Sequence, residues 1–235
     1  MHPLTPAYVL HARPYRDSSA LVELLTLYEG MQRVVWRGAR NSRKGPGPQP
    51  FVPLLVSTTG RGELKTLGSA EIAGSYTLLQ GDCLFSGMYL NELLVRLLRP
   101  ADPQPILFAA YQGALQALGE SDSIEPILRR FEWQLLDALG YGFSLQVDAL
   151  GEAVDAEGRY TWASDQGLLR LTGAHLPANA GLPGEALLRM AADDWTESTT
   201  LRAAKLLMRQ ALSAHLGDKP LMSRQLFSSA KGVQP

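Results

Sequence analysis

Seven basic side chains fall between Gln32 and Lys65 (Arg33, Arg37, Arg40, Arg43, Lys44, Arg61 and Lys65), against a single acid, Glu63. Cations at that density neutralise phosphate oxygens without reading bases, so the chemistry they offer is the binding of a polyanion, nucleic acid being the commonest. Gly45, Pro46, Gly47, Pro48 and Pro50 loosen the middle of the stretch, and apolar runs flank it, Val34 to Trp36 before and Phe51 to Val56 after. This reads as a basic loop between two strands. A solvated loop without a ligand has the same composition. A second basic set, Arg202, Lys205 and Arg209, recurs at i, i+3 and i+7 opposite Leu201, Ala204, Met208 and Leu212, with Lys219 and Arg224 beyond it. That stripe either widens a phosphate footprint or keeps a helix face in water.

No catalytic constellation accompanies the charge. The sequence has no His-Glu-x-x-His, no Cys-x-x-Cys and no Gly-x-Ser-x-Gly, and its histidines (His2, His11, His175 and His215) are scattered. The run from Gly60 to Thr66 approximates a phosphate-binding loop, but Leu64 stands where that loop needs glycine before the lysine, so the backbone cradle fails. Asp193 and Asp194 precede a helix and are placed as near-cap carboxylates favoured by its dipole. We therefore expect a protein that is not an enzyme, with no cofactor and no metal. Cys83, the only cysteine, excludes an intrachain disulfide, suits a reducing cytoplasm and packs as a small hydrophobe. No apolar run approaches the roughly 20 residues that span a bilayer, and the N-terminus lacks the pattern of a signal peptide, so the expected location is cytoplasmic, with no membrane partner.

The elements that must position these groups fall into two sets, with the division placed at residues 1–76 and 77–235. Five short β runs (Ala7 to Arg13, Ala20 to Tyr28, Met31 to Gly38, Phe51 to Ser57 and Glu63 to Ala70) with turn signals between them have the size of a five-stranded OB-fold barrel, a fold that combines a basic groove with base stacking. Alternation along the third run puts Arg33, Val35 and Arg37 outward and sends Val34 and Trp36 into the core. Tyr8, Tyr15, Tyr28 and Phe51 are either stacking platforms or structural. Beyond Tyr76 the period turns helical: Leu84 to Leu98 stopped by Pro100, Phe108 to Leu118 ended at Gly119, and a third helix opened by an Asp122 to Glu125 capping box and closed at Gly140. Residues 143–183, rich in glycine, read as a small hairpin module, and helices resume at Leu182 to Ala192 and Thr199 to Leu216. The fold class is therefore α+β. The net charge of −1 hides a segregation: +4 over residues 1–99, −10 over 100–197 and +5 over 198–235. Basic ends suit a polyanion, while the acidic middle stays in solvent or meets a basic protein.

Taken in order, these segments resemble the RecO family of bacterial recombination mediators and DNA repair proteins, in its γ-proteobacterial form. The resemblance is carried by Tyr8 to Arg16 (YVLHARPYR), Arg37 to Arg40 (RGAR), Gln49 to Leu55 (QPFVPLL), Gly60 to Leu67 (GRGELKTL), Ser69 to Glu71 and Gly87 to Leu94 (GMYLNELL). It continues through Leu128 to Glu132 (LRRFE), Leu139 to Gly142 (LGYG), Thr200 to Lys205 (TLRAAK) and Lys219 to Arg224 (KPLMSR). It implies an OB-fold followed by a helical domain. It also implies a role in binding and annealing DNA, single- or double-stranded, and in helping RecA displace single-strand-binding protein, usually with RecR. The family's helical domain receives the acidic, Phe-ending tail of single-strand-binding protein, and the resemblance places that contact at Arg129, Arg130 and Trp133. From the residues alone, Arg129 is equally explained by an i,i+4 pair with Glu125. Many relatives hold zinc in the hairpin module through two Cys-x-x-Cys pairs, whereas residues 147–170 here contain no cysteine. Such a zinc-ribbon-like module without metal ligands must rest on apolar contacts from Val147, Leu150, Tyr160, Trp162 and Leu168. The leading expectation is a DNA-binding mediator using Arg33, Arg37, Arg40, Arg43, Lys44, Arg61 and Lys65, with Arg202, Lys205 and Arg209 widening the footprint. The alternative is an OB-fold adaptor that binds a protein rather than DNA.

Overall fold

The computed structural model describes residues 3–39, 47–121, 123–173, 177 and 180–231, the last four of these by backbone alone. Arg40, Arg43, Lys44, Asp122 and His175 lie outside the described residues. By contacts the chain forms two compact units, residues 1–124 with 220–235, and residues 125–219. The first unit thus holds the barrel together with elements from both sides of the other unit in sequence.

Five strands build the barrel: β1 (Thr5–Tyr15), β2 (Ser19–Thr26), β3 (Gly30–Trp36), β4 (Leu54–Thr59) and β5 (Leu64–Ile72). They close in the order β1-β2-β3-β5-β4, with β1 returning to β4 and β3 running parallel to β5. Alternating side chains fill the interior, among them Val9, Val22, Leu24, Val34, Leu54 and Val56, and Trp36 packs against this cluster from its edge. The inward face of β3 is as expected, and Arg33 and Arg37 are exposed. Phe51 departs from expectation. It precedes β4 with φ 68° and is buried, so it is neither strand nor platform. Tyr8 is also structural, packed at 5.5 Å from Phe108 and edge-on at 5.2 Å from Tyr111.

β1 spans two partners, and it bends to do so. Its register with β2 steps between Val9 and His11, leaving Leu10 as the extra residue of a bulge. The Leu10 carbonyl accepts a hydrogen bond from the Asn91 amide at 2.9 Å, and the Asn91 carbonyl accepts one from the Tyr111 hydroxyl at 2.5 Å. All three residues are buried. Asn91 stands on α1 (Gly81–Leu97) and Tyr111 on α2 (Pro105–Glu120), so one amide fastens both helices to the barrel. α2 runs through Gly119 rather than ending there. A side chain at that position would meet Thr77 within 3 Å, so the glycine serves close approach and not termination.

A C-terminal helix that the sequence reading omitted, α6 (Ser223–Lys231), belongs to this same unit. Its start is capped from α1: the Glu92 carboxylate accepts the backbone N–H of Met222 at 2.8 Å and of Ser223 at 2.9 Å, and the Ser223 hydroxyl at 2.6 Å. Burial pushes the Glu92 carboxyl up, but the hydrogen bonds from Ser223 and Met222, with Arg96 nearby, outweigh it and hold the group below the usual carboxylate range. Phe227 adds an edge-on contact to Phe85 at 5.7 Å.

The second unit contains α3 (Ile124–Ala138), a three-stranded sheet ordered β7-β6-β8, from β6 (Arg159–Ala163), β7 (Gly167–Arg170) and β8 (Leu182–Pro183), then α4 (Gly184–Ala191) and α5 (Ser198–Leu216). α3 ends in a paired left-handed cap. Gly140 has φ 79°, its N–H bonds to the Asp137 carbonyl, and that of Tyr141 reaches back to Leu136. The hairpin module corrects the expected core: Leu150 is 82% exposed and Val147 40%, whereas Tyr160, Leu168, Val154 and Leu182 are buried. Tyr160 also anchors the loop through its hydroxyl, which accepts the N–H of Asp155 at 2.8 Å. Among the described residues no group of three or more His, Cys, Asp or Glu is placed to hold a metal ion, and no helix is long and apolar enough to cross a membrane.

Two outcomes follow from the first unit. Asn91→Leu strands the buried Leu10 carbonyl, and urea unfolding should show a loss of about 2–4 kcal/mol, since each unsatisfied buried polar group costs roughly 1–3 kcal/mol. Because the folded carboxyl of Glu92 titrates below its unfolded value, its contribution to α6 docking is complete above that unfolded value and is lost as pH falls through the lowered one. Hydrogen exchange of the α6 amides should therefore accelerate only at strongly acidic pH in the native chain, and already at neutral pH in Glu92→Ala.

Candidate nucleic-acid interface

The parallel pairing of β3 and β5 sets Val34 beside Lys65 and Val35 beside Thr66. The β1–β2 hairpin, with Tyr15 opposite Ser19, comes to the same end of the barrel. Together they form a cleft of about 450 Å³, lined by Tyr15, Arg16, Arg37, Lys65 and Thr66 among others. Three cations and an aromatic ring drawn from three strand ends make a local positive concavity, although only two of the cations, Arg37 and Lys65, belong to the basic stretch read from the sequence. Arg16 was missed. It takes a left-handed turn conformation, φ 52°, and its guanidinium lies 5.2 Å from the Tyr15 ring. The available signal was Tyr15-Arg16 immediately before the Asp17-Ser18 turn.

The charges differ in availability. Arg33 donates to Glu23 at 3.2 Å, and Glu23 also faces His11 at 3.8 Å. Lys65 donates to Glu29 at 2.9 Å. That hydrogen bond holds the Glu29 carboxyl below its ordinary range against the opposing effect of burial, helped by the Gln32 amide. Arg16, Arg37 and Arg61 are exposed and make no ion pair among the described residues; Arg61 sits on the turn that leads into β5. Of the aromatic candidates, Tyr15 is half-buried in the cleft and Tyr28 is exposed, while Tyr8 and Phe51 belong to the interior.

In the second unit Arg202, Lys205 and Arg209 are exposed along α5, as their spacing requires. Lys205 is held by Glu125 at 2.9 Å. Arg224 does not continue this stripe, because it stands on α6 in the first unit, 5.9 Å from the Tyr89 ring. Arg129 requires a correction as well. It is buried and pairs at 2.8 Å with the fully buried Glu132, not with Glu125, so its guanidinium is not presented to solvent. Arg130 is the exposed neighbour. It bonds Asp193 at 2.6 Å, lies 5.7 Å from the Trp195 ring, and keeps the Asp193 carboxyl below its usual range. Asp193 and Asp194 therefore serve as partners of Arg130 and Arg189, not as caps of α5, which starts at Ser198. Arg130 borders a pocket of about 450 Å³ with Trp133, Phe143, Met190 and Trp195, in which Trp133 and Phe143 meet edge-on at 5.0 Å.

Residues 1–76 match the family described as Recombination protein O N terminal, and residues 79–225 match Recombination protein O C terminal. The chain is 50% identical to the DNA repair protein RecO of Stutzerimonas stutzeri (strain A1501), over 96% of this chain and 94% of that protein. It is 52% identical to the protein of the same name from Pseudomonas putida (strain GB-1), over 94% of this chain and 96% of the relative. The relative from Pseudomonas aeruginosa (strain UCBPP-PA14) is 49% identical over 95% and 94%.

The paired and free cations differ in a way that a polyanion column reads directly. Glu29→Gln releases Lys65, and Glu23→Gln releases Arg33, so each variant should elute from immobilised heparin at higher salt than the unaltered chain; elution at the same salt would mean that these side chains stand outside the binding surface.

Proposed function

The chain belongs to the RecO family of DNA repair proteins, and from that premise we propose that it is a DNA-binding recombination mediator that brings complementary strands together without catalysing a covalent step. Its place in DNA repair and recombination comes with the family. The observation that supports the finer reading is the barrel-end cleft, where Arg16, Arg37 and Lys65 surround Tyr15.

Annealing asks little of a protein chemically. Two phosphate backbones repel, and cations that neutralise them while leaving base edges free lower that barrier without nucleotide hydrolysis. The cleft offers guanidinium groups for phosphates and one ring for a base face, which is the combination that OB-fold barrels use on single strands. Arg33 and Arg61 extend the same basic stretch in sequence, as do Arg40, Arg43 and Lys44, which fall between β3 and β4 along the chain. Arg202, Lys205 and Arg209 add a second stripe on α5. The protein acts in the cytoplasm at the nucleoid, on single- or double-stranded DNA, with RecR, and promotes RecA loading indirectly by engaging single-strand-binding protein.

The acidic, Phe-ending tail of that protein fits the second unit's aromatic pocket. Its ring would enter between Trp133, Phe143 and Trp195, and a carboxylate would take Arg130 from Asp193. This keeps Arg130 and Trp133 in the tail contact and leaves Arg129 out of it, because Arg130 is exposed and Arg129 is buried.

Three measurements check the reading. On one sample, the chain should anneal complementary oligonucleotides and leave them uncut; cleavage would make it a nuclease, and neither activity would favour a protein adaptor. Replacing Arg16, Arg37 and Arg61 together by Ala should flatten the dependence of log affinity on log salt by about 2 for single strands, at roughly 0.7 per phosphate contact. In tail-peptide titrations Arg130→Ala should weaken binding roughly fivefold or more while DNA affinity holds. Arg129→Ala should instead lower stability by about 3 kcal/mol or more through loss of a buried ion pair.

A further inference from the structure

Phe143 and Ser144, which line the Arg130 pocket, also line a second cavity of the second unit, of about 410 Å³. Tyr141, Phe143, Trp162 and His215 supply its aromatic wall and Asp165 an exposed carboxylate, whereas Asp148, also in the lining, is buried and accepts the backbone N–H groups of Leu150 and Glu152. Tyr141 and His215 are stacked nearly parallel, 3.7 Å between centroids. Among the described residues no lysine or arginine lines it. A third carboxylate, Asp137, fills the space that a side chain at Gly142 would occupy, on the cavity's edge. The indole N–H of Trp162 is shielded from solvent and has no acceptor among the described residues.

We propose that this cavity is a docking site for an arginine side chain presented by a basic segment of a partner protein. Aromatic faces attract a guanidinium through their quadrupoles, and carboxylates at the rim add charge-assisted hydrogen bonds. The carboxylates, with no lysine or arginine in the lining among the described residues, repel phosphate and acidic peptide, which separates this site from the barrel cleft and from the Arg130 pocket. The site lies within the segment whose sequence charge is most negative, so a basic partner is drawn to it before contact.

The test is calorimetric titration of the full chain with a blocked Gly/Ser peptide carrying arginines, alongside the same peptide carrying glutamates and deoxyadenosine monophosphate. The arginine peptide alone should bind. Tyr141→Ala and Asp165→Asn should each weaken it roughly three- to tenfold. Glu197→Gln removes an exposed acid elsewhere in the same unit and should leave the affinity unchanged. Thermal melts of every variant establish that it is folded. Equal weakening by Glu197→Gln would reduce the effect to diffuse attraction and overturn the proposal. Binding of the nucleotide in place of the arginine peptide, or no binding of either, would overturn it as well.

Discussion

One backbone carbonyl organises the first unit. A strand that pairs with β2 along most of its length and with β4 at its start cannot stay flat, and the bulge at Leu10 supplies the bend. A bulge in a buried strand releases a carbonyl from the ladder, and that carbonyl must find a donor. Asn91 provides it from α1, and Tyr111 from α2 satisfies the other end of the same amide. Closure of the barrel, attachment of both helices and the positions of the strand ends thus depend on a single polar side chain. The cationic cleft is a product of that closure, because it is assembled only where the β1–β2 turn, the end of β3 and the start of β5 meet.

Charge is managed differently across the chain. Around the barrel, Glu23 and Glu29 hold Arg33 and Lys65 close to the surface, while Arg16, Arg37 and Arg61 make no ion pair among the described residues. In an exposed setting such pairs contribute only a few tenths of a kcal/mol to stability, so their effect is on availability and orientation more than on folding. The second unit uses the opposite device: Arg129 and Glu132 are sunk into α3, where a broken pair is expensive, while Arg130 is kept outside on a replaceable partner, Asp193. Adjacent arginines on one helix therefore have separate tasks, one structural and one open to exchange.

Much of this was legible in the sequence, for identifiable reasons. Period-two alternation located the five strands and the inward face of β3, and three-four periodicity located the helices through Leu216, with glycine marking the ends of α3 and α5 but not of α2. What escaped depends on long-range contact. Leu10 gives no local sign of a bulge, and nothing near Asn91 announces a partner some eighty residues earlier. Arg129 and Arg130 are indistinguishable by composition, and only the packing of α3 decides which is buried. Leu150 was assigned to the module's core on hydrophobicity, yet it lies on an exposed turn while Val154 takes the interior place. α6 was missed because its run is short and mostly polar, with Leu226 and Phe227 its only large apolar residues; the Glu92 cap that starts it comes from α1.

The central claim, that the barrel end carries the polyanion, is tested most directly by hydrogen exchange of the full chain with and without a single-stranded oligonucleotide at low salt. Slowed exchange is expected at residues 15–19, 35–38 and 61–66, falling away as salt is raised, with the β6–β7 hairpin unchanged. Protection confined to residues 125–219, with the barrel exchanging as it does in the free protein, would contradict the account.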